Sequence, residues 1–418
     1  MLTLWKKNKF LFVFLLIIVF LFPSVISKES LTYSHLICIG MGIDKKESEY
    51  EISLQVIVPQ QSSNFNETLK IVSGKGKTVN EAINAIKFQV GKDVGFSQCE
   101  CIIFNEEVAK ENILLPIDYF VRTHNLNYNC ILVCTDKSAN KILEINSSLG
   151  KSYSFDLSRI LEYNETNLFS KDTNIEQAYR AFLSKNTAFA ITLLSTSKDS
   201  SDGLEGELSS GGGGDSSSGK SSGGSQSSGG SSGKDEEKVL VNDTMIALFK
   251  NGKLIGKIKD DEINGIEFLN PHAKNLQIKI ENYSDELYTN ATIEFDIQNK
   301  FANTKCEIVG DKLVMKSDVL VYIKLDDILQ KDNFDGLIET NTNYYTKGLI
   351  EEIKKTQIKM LNDSIEKLKE LNIDLIDLYE NFDRWKHVEF ENYLSRLENK
   401  NDYFQNVIVE ANFNIIGI

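Results

Sequence analysis

The sequence predicts a multidomain α+β protein: a mixed α/β domain with a βαβ unit comes first, and an antiparallel-rich sheet wrapped around a long helix follows. Three observations support this class. Strand, helix and strand patterns follow one another between residues 99 and 135, a helix with one apolar stripe occupies residues 345–371, and a Ser/Gly-rich tract separates these regions. At about 150 residues per domain, 418 residues indicate two or three domains.

The N-terminus carries the pattern of an export signal. Lys6, Lys7 and Lys9 precede an unbroken apolar run at residues 10–22, an order typical of a secretory signal sequence. The run is shorter than the roughly 20 residues that span a bilayer, so cleavage after Ser27 and retention as an anchor both stay open. Residues 1–27 are assigned to a signal sequence or N-terminal membrane anchor, and the remainder is expected outside the cytoplasm.

Residues 31–195 are predicted to form the N-terminal α/β domain, which opens with a hairpin. Two β-branched runs, 36–44 and 50–59, flank a charged turn. Gly40 and Gly42 interrupt the first run, and glycine inside a strand indicates a bulge or a close approach of another backbone.

A capping box and a βαβ unit follow in the same domain. Thr78 and Glu81 have the spacing at which each side chain satisfies a free amide at a helix start. The strand patterns at 99–104 and 129–135 enclose helical sequence, which requires a parallel pair with a crossover. Residues 152–194 are predicted to be mainly helical.

The composition changes abruptly at residues 196–237. Within this segment, residues 209–233 contain 12 Ser, 10 Gly and only three other residues. Such a sequence behaves as a flexible linker, whose root-mean-square span is about 35 Å for 40 residues. It either separates two independently folded parts or forms a large exposed loop between them.

Residues 238–418 are predicted to form a C-terminal α+β domain, with a division near residue 275 left open. Asn251-Gly252 between two apolar runs is the signal of a type I′ turn and predicts a hairpin. Further strands precede the helix at 345–371, and the chain closes on a strand in which apolar and polar residues alternate.

Charge and cysteine content exclude several classes of protein. The formal net charge is -14, and removing residues 1–27 takes away three lysines and no acid, which leaves -17. This balance disfavours nucleic acid and anionic lipid headgroups as direct partners. Six cysteines are too few for a disulfide framework in a chain of this length. The even spacing of Cys99 with Cys101 and of Cys130 with Cys134 places each pair on one face of a strand and favours buried free thiols, with a disulfide and a zinc site as alternatives.

No catalytic motif has a fitting context. Gly76-Lys77-Thr78 lacks the first glycine of a phosphate-binding loop, and the nucleophile-elbow pattern at 229–233 lies inside the Ser/Gly tract. The four histidines are scattered along the chain. Arg122 is interpreted as a partner of a helix dipole, and Trp385 as a packing anchor. The sequence therefore predicts a protein that is not an enzyme, with no cofactor and no metal site.

Landmarks in both halves are individually weak but occur in a characteristic order. They are Ile39-Gly40-Met41-Gly42-Ile43-Asp44, the strand at 50–59, Gly76-Lys77-Thr78 with Glu81-Ala82, Phe96-Ser97, the segments 101–104, 106–109 and 119–122, the hairpin at 247–256, Asp374, Trp385 and Gly417. This order resembles the Ger(x)C family, the C subunit of spore germinant receptors in endospore-forming Firmicutes. The candidate family-motif residues are Gly42, Asp44, Thr78, Glu81, Arg122, Gly256 and Trp385.

The resemblance implies a non-enzymatic subunit of a nutrient receptor at the spore inner membrane, associated with two polytopic membrane subunits. Family members are usually lipoproteins, but here no cysteine follows the apolar run before Cys38, and the residues before it lack the small residue that a lipobox needs. No lipidation site is assigned, and anchoring is expected through the apolar segment or the partner subunits. Gln98 occupies the family position of a histidine, which also disfavours catalysis. A free extracytoplasmic solute-binding or adhesion protein is the alternative, and a secreted hydrolase is the least favoured.

Overall fold

The computed structural model describes residues 35–58, 68–123, 126–145, 153–166, 173–186, 188–194, 245–270, 276–330 and 344–418. The predicted signal sequence and the predicted linker lie outside the described residues. The described residues form a ten-stranded sheet and a four-stranded sheet, and helices pack on both.

The first sheet is built from β1 (His35–Lys46), β2 (Glu49–Val58), β3 (Thr68–Gly76), β4 (Asp93–Gly95), β5 (Cys101–Asn105), β6 (Ile131–Thr135), β7 (Thr173–Asn174), β8 (Ala188–Leu194), β9 (Met245–Lys250) and β10 (Lys253–Lys259). Its helices are α1 (Val79–Val90), α2 (Glu106–Glu111), α3 (Leu114–Thr123), α4 (Ala139–Leu143), α5 (Tyr153–Thr166) and α6 (Ile175–Leu183). The strand order is β10-β9-β8-β6-β5-β1-β2-β3, with β4 paired to β1 and β7 to β6.

The centre of this sheet is parallel. β1 pairs in parallel with β5, β5 with β6, and β6 with β8. Strands β5 and β6 are joined through α2 and α3, so the predicted βαβ unit is confirmed. The predicted hairpin of β1 and β2 is also present, with a bulge between Cys38 and Gly40.

Two glycines of the first sheet, Gly42, which was predicted, and Gly74, which was not, bring backbones into close approach. A Cβ on Gly42 would lie 3.0 Å from the carbonyl carbon of Ala139 in α4. A Cβ on Gly74 would lie 2.3 Å from the carbonyl oxygen of Ala82 in α1. The absence of a side chain at these positions therefore allows two helices to pack directly against the sheet.

The prediction of mainly helical structure between 152 and 194 is wrong at its end. Residues 153–166 and 175–183 are helical, but Ala188–Leu194 form β8, a strand whose seven residues are all buried. A short apolar run that is covered on both faces has no polar alternation, and its period cannot distinguish a strand from a buried helix.

The hairpin of β9 and β10 belongs to the first sheet. Asn251 and Gly252 both have positive φ, 54° and 75°, which confirms the type I′ turn. Strand β9 pairs antiparallel with β8, and Leu193 lies opposite Met245. The predicted domain bounds group this hairpin with residues 238–418, whereas β9 pairs with β8, a strand that precedes the predicted linker. A strand pattern shows that a strand exists and does not show which neighbour it selects. Domains that fold as separate units at 31–195 and 238–418 stay a prediction.

The second sheet consists of β11 (Gln277–Tyr283), β12 (Ala291–Val309), β13 (Lys312–Leu329) and β14 (Val407–Gly417) in that order. Its pairs are antiparallel except that of β13 with β14, which is parallel. Helix α7 (Lys347–Glu370) and α8 (Leu378–Leu394) complete this half. Buried residues of α7 include Ile353, Leu361, Ile365 and Leu368, which confirms the predicted apolar stripe. The α+β class with an antiparallel-rich second sheet is therefore confirmed.

Hydrophobic cores explain how the halves are held together. One core covers each face of the first sheet, and the core of the second half also includes Ala190 of β8 and Ile246 and Leu248 of β9.

All six cysteines are buried free thiols. Cys99 and Cys101, however, contribute to cores on opposite faces of the first sheet, because Cys99 precedes β5 and the alternation of a strand does not extend to it.

Candidate functional site

The two halves meet at a polar contact that we call the junction, defined by the buried residues Asn186, Asp374 and Tyr403 and the half-buried residues Lys250 and Asn372. Asn186 follows α6, and Lys250 ends β9. The other three lie after α7, two of them between α7 and α8 and one in a 3-10 turn before β14. The junction therefore joins one end of strands β8 and β9 to the helical layer of the second half.

Asp374 is the central group of the junction. Its Oδ1 accepts hydrogen bonds from the amides of Ile376 and Leu378 at 3.1 and 3.0 Å. Its Oδ2 accepts from the Tyr379 amide at 2.9 Å and from the Tyr403 hydroxyl at 2.8 Å. The carboxylate thus satisfies free amides at the start of α8, a role that a residue next to the helix usually takes.

The usual capping position before α8 is occupied by Asp377, whose backbone is left-handed with φ of 53° and whose side chain makes no cap hydrogen bond. Asp374 acts from three positions further back because the chain turns sharply between the helices. Asn372 has a positive φ of 50° in the same turn. The connection between α7 and α8 is therefore shaped so that a buried carboxylate lies under the helix start.

Burial raises the pKa of Asp374 to about 6, because removal of the carboxylate from water disfavours its charge. Hydrogen bonds from the Tyr379 and Leu378 amides and from Tyr403 oppose this shift. Asp374 is only 2% exposed. The junction therefore contains a buried acid whose pKa lies near 6.

Two side chains from the part of the protein built on the first sheet, which includes the hairpin of β9 and β10, contact the segment between α7 and α8. The Asn186 side-chain amide donates to the backbone carbonyl of Asp374 at 2.7 Å, and its Oδ1 lies 3.4 Å from the Tyr403 hydroxyl. Lys250 Nζ donates to the carbonyl of Asn372 at 2.9 Å. Desolvation lowers the pKa of Lys250, and the nearby carboxylates of Asp402 and Asp374 oppose that effect.

An exposed ion-pair cluster lies beside the junction on α8. Asp383, His387 and Glu391 are one helical turn apart, and their potential ligand atoms lie within 4.8 Å of one another, which suits a metal ion. Lys185 of the first half lies 3.8 Å from Asp383 and 3.5 Å from Glu391. Its ammonium also lies 5.6 Å from the centre of the Tyr379 ring. The Lys185 ammonium partly neutralises the carboxylates of Asp383 and Glu391, so the cluster forms a further link between the halves.

The candidate residues Gly42 and Asp44 lie at a different place, where β1 meets α4. Asp44 accepts hydrogen bonds from the amides of Ala139 and Asn140 at 2.8 and 3.0 Å and from the Ser138 hydroxyl at 3.0 Å. Burial raises its pKa, and these hydrogen bonds oppose the shift. Together with the close approach at Gly42, the geometry indicates that this pair docks α4 on the sheet.

Thr78 and Glu81 begin α1, as predicted. Thr78 Oγ1 accepts from the Glu81 amide at 3.2 Å. The Glu81 carboxylate accepts from the amide of Lys77 at 2.8 Å, one residue before the position expected for a capping box. Arg122 lies in the last turn of α3 and pairs with Asp118 at 2.7 Å, which agrees with a role at the helix end.

Gly256 and Trp385 complete the candidate set. A Cβ on Gly256 would lie 3.8 Å from Leu371, so this glycine borders the segment that carries the junction. Trp385 is 69% exposed, and its interpretation as a packing anchor within this chain is wrong. The buried face of α8 is formed by Leu378, Phe382, Phe390 and Leu394, and Trp385 lies off that face next to a kink at Lys386.

The structure therefore does not gather the candidate residues into one site. The functional roles of these candidate residues stay predictions. In the structure, some of them begin a helix, some pack a helix on the sheet, and Trp385 lies on the surface. Asn186, Lys250, Asn372 and Tyr403 were not predicted from the sequence as site residues, and Asp374 was predicted only as a landmark. Only Asp374 has a local sequence signal for its role, because an acid shortly before a helical pattern is typical of a cap. Its partners lie far away in sequence and carry no such signal.

Comparisons with known proteins bear on both halves. Residues 35–196 match the family model described as spore germination protein N-terminal domain. Residues 244–416 match the family model described as spore germination B3/GerAC like, C-terminal. No curated protein matches the chain.

A solved structure described as the crystal structure of the GerBC protein is similar to this chain at 14% identity and a TM-score of 0.49, covering 90% of this chain and 97% of its own. Among the described residues, no helix combines the length and apolar character needed to cross a bilayer. The apolar segment at 10–22 lies outside those residues. Because the two family models together match most of the chain in their N-to-C order, the chain belongs to the Ger(x)C family of spore germination proteins.

Proposed function

We propose that this protein is the non-enzymatic C subunit of a nutrient receptor and is needed for spores to germinate in response to nutrients. The observation that carries the proposal is the match of both family domains, in order, on either side of the Ser/Gly tract. The protein binds partner subunits and helps to transmit a signal, and turns over no substrate.

The junction supports a role in transmission. The halves share a hydrophobic core, and a buried hydrogen bond from Asn186 and a partly buried one from Lys250 reach the segment between α7 and α8. Buried hydrogen bonds are costly to leave unmade, so a displacement of one half is passed to the other instead of being absorbed at their contact. A binding event on either half therefore changes the position of the other.

The proposed location is the extracytoplasmic face of the spore inner membrane, where two polytopic subunits of the same receptor are the partners. The apolar segment at residues 10–22, or those subunits, hold the protein at the membrane. A net charge of -14 makes direct attraction to anionic headgroups unfavourable, so anchoring depends on apolar or protein contacts.

An in-frame deletion tests the function. Spores of the deletion strain should form in normal numbers and should lose the fall in optical density that follows addition of nutrients. A wild-type copy in trans should restore the response, and a copy carrying Trp385→Ala on the surface tests whether that exposed side chain contributes. Normal nutrient germination in a strain that also lacks any paralogue would contradict the proposal.

Purification from spore membranes tests the partners. A tagged full-length chain should be recovered after detergent extraction together with two multi-spanning proteins, and high salt should not remove it from the membranes. Recovery in the soluble wash without those proteins would instead support the free extracytoplasmic binding protein.

A further inference from the structure

Three buried cysteines form a thiol cluster at one end of the first sheet. Cys38 lies on β1, Cys99 two residues before β5, and Cys130 one residue before β6. These strands are parallel neighbours, with Gly40 opposite Cys101 and Cys101 opposite Ile131. All three cysteines are 0% exposed and contribute to the same core. The chain thus brings three nucleophilic side chains together that are 31 or more positions apart in sequence.

Within the cluster, one pair is in sulfur contact. Cys130 Sγ lies 3.8 Å from Cys99 Sγ, while the Cys38 thiol donates to the Gly40 carbonyl at 3.4 Å. The two segments are held together by a hydrogen bond of 2.9 Å from the Ile131 amide to the Glu100 carbonyl. Side-chain rotation that closes about 1.8 Å would bring this pair to the roughly 2.05 Å of a disulfide without separating the strands.

We propose that Cys99 and Cys130 are an oxidation site, which forms a disulfide by exchange with a disulfide-bearing oxidant. The thiolate of one cysteine of the pair attacks one sulfur of the oxidant, which gives a mixed disulfide and releases one thiolate. The thiol of the other cysteine then loses its proton, attacks the sulfur of the first cysteine and displaces the second thiolate. Two protein thiols are oxidised and the oxidant is reduced to two thiols, so two electrons and two protons are transferred in total.

The surroundings of the two thiols differ between the open chain and the closed core. In the closed core, hydrogen bonds from Cys130 and from Cys38 lower the pKa of Cys99 to about 5, whereas burial raises the pKa of Cys130. A thiolate is the reactive form of cysteine, and before these contacts form either thiol of the pair can supply it, so the geometry fixes the pair and not the order of attack. Exchange takes place before the strands close the core, and the closed core then shields the bond from reductants.

The other cysteines have different surroundings and serve as controls. Cys101 contributes to the core on the opposite face of the sheet, and Cys306 lies on β12 of the second sheet. Cys134 lies further along β6, and burial raises its pKa to about 12. These three are expected to remain thiols, as is Cys38.

Peptide mapping of the refolded protein tests the proposal and is independent of where the protein acts. The full chain is unfolded and reduced, refolded with reduced and oxidised glutathione, unfolded again with iodoacetamide and analysed by mass spectrometry. We expect four alkylated cysteines before reduction and six after it, together with one cross-linked peptide pair that contains Cys99 and Cys130. Six alkylated cysteines before reduction, a Cys38–Cys99 cross-link, or one equivalent of zinc that protects the thiols would each overturn the proposal.

Two variants separate the pair from its neighbours. Cys99→Ser should abolish the cross-link, whereas Cys306→Ser should leave it unchanged. The oxidised wild-type protein should unfold about 5–10 °C above the reduced protein, because the bond closes a long loop of the unfolded chain. If Cys99→Ser fails to fold, the map of the wild-type protein still decides the outcome. Equal melting temperatures of the two wild-type forms would count against a bond in the native core.

Discussion

The side-chain amide of Asn186 donates a hydrogen bond of 2.7 Å to the backbone carbonyl of Asp374, a residue 188 positions away. This bond joins the loop after α6 to the segment that connects α7 and α8. Both groups are buried, so water cannot replace either partner. The two halves of the protein are therefore connected by a specific polar contact as well as by shared apolar surface.

The first prediction concerns the Asp374 carboxylate. Asp374→Asn replaces one acceptor oxygen by an amide that cannot accept from the backbone amides at the start of α8. At pH 4 we expect the free energy of unfolding to fall by about 1–3 kcal/mol, the cost of leaving buried donors unsatisfied. Urea denaturation measures it. Asp377→Asn is the matched control, because Asp377 makes no cap hydrogen bond and Asn tolerates its left-handed backbone.

The second prediction concerns pH. The pKa of Asp374 is raised from 3.8 to about 6 on folding, so the folded state binds the proton more tightly than the unfolded state. This contribution to stability is complete below about pH 4 and is lost as the pH rises through 6. The difference in unfolding free energy between wild type and Asp374→Asn should therefore shrink by about 2–3 kcal/mol from pH 4 to pH 7. A difference that does not vary with pH would refute the shift.

The third prediction compares two adjacent residues that link the halves. Asn186→Ala removes a buried donor, and we expect a loss of about 1–3 kcal/mol of unfolding free energy. Lys185→Ala removes exposed ion pairs and one contact with the Tyr379 ring, and should cost less than about 1 kcal/mol. Chemical denaturation of both variants at two salt concentrations provides the comparison. Equal losses, or a strong dependence of the Asn186 variant on salt, would contradict this account of the junction.

The fourth prediction concerns the connection between β8 and β9. These strands are antiparallel neighbours although residues 195–244 separate them. Deletion of residues 209–233 halves this connection, and loop-closure entropy then changes by only about 0.6 kcal/mol in favour of folding. The control keeps the length and scrambles the order of the tract. A loss of more than about 2 kcal/mol on deletion alone would show that the tract contributes contacts.

The fifth prediction concerns glycine packing in the first sheet. Gly74→Ala places a Cβ within 2.3 Å of the Ala82 carbonyl oxygen, so α1 must move away from the sheet. We expect a loss of about 2–4 kcal/mol of unfolding free energy, which thermal unfolding by circular dichroism would detect. Gly95→Ala is the control, since its nearest neighbour lies 3.8 Å away. A neutral Gly74→Ala variant would mean that the helix is free to shift.

Several elements could be predicted because their causes are local. Thr78 lies three residues before Glu81 and marks the start of α1, Asn251-Gly252 sets a turn with two positive φ angles, and the spacing of Ile353 and Leu361 marks the buried face of α7. In each case the residues that determine the conformation lie within a few positions of one another. Hydrophobic periodicity and backbone preference are therefore sufficient to predict these elements.

Tertiary structure alone decided the pairing of β9 with β8, the strand conformation of Ala188–Leu194, and the contact of Asn186 with Asp374. It also decided that Trp385 is exposed and that Cys99 contacts Cys130. These features depend on residues tens to hundreds of positions apart, whose proximity costs chain entropy that only the completed cores repay. A local pattern states what a segment can form, and the global packing of two sheets selects the neighbour against which it forms.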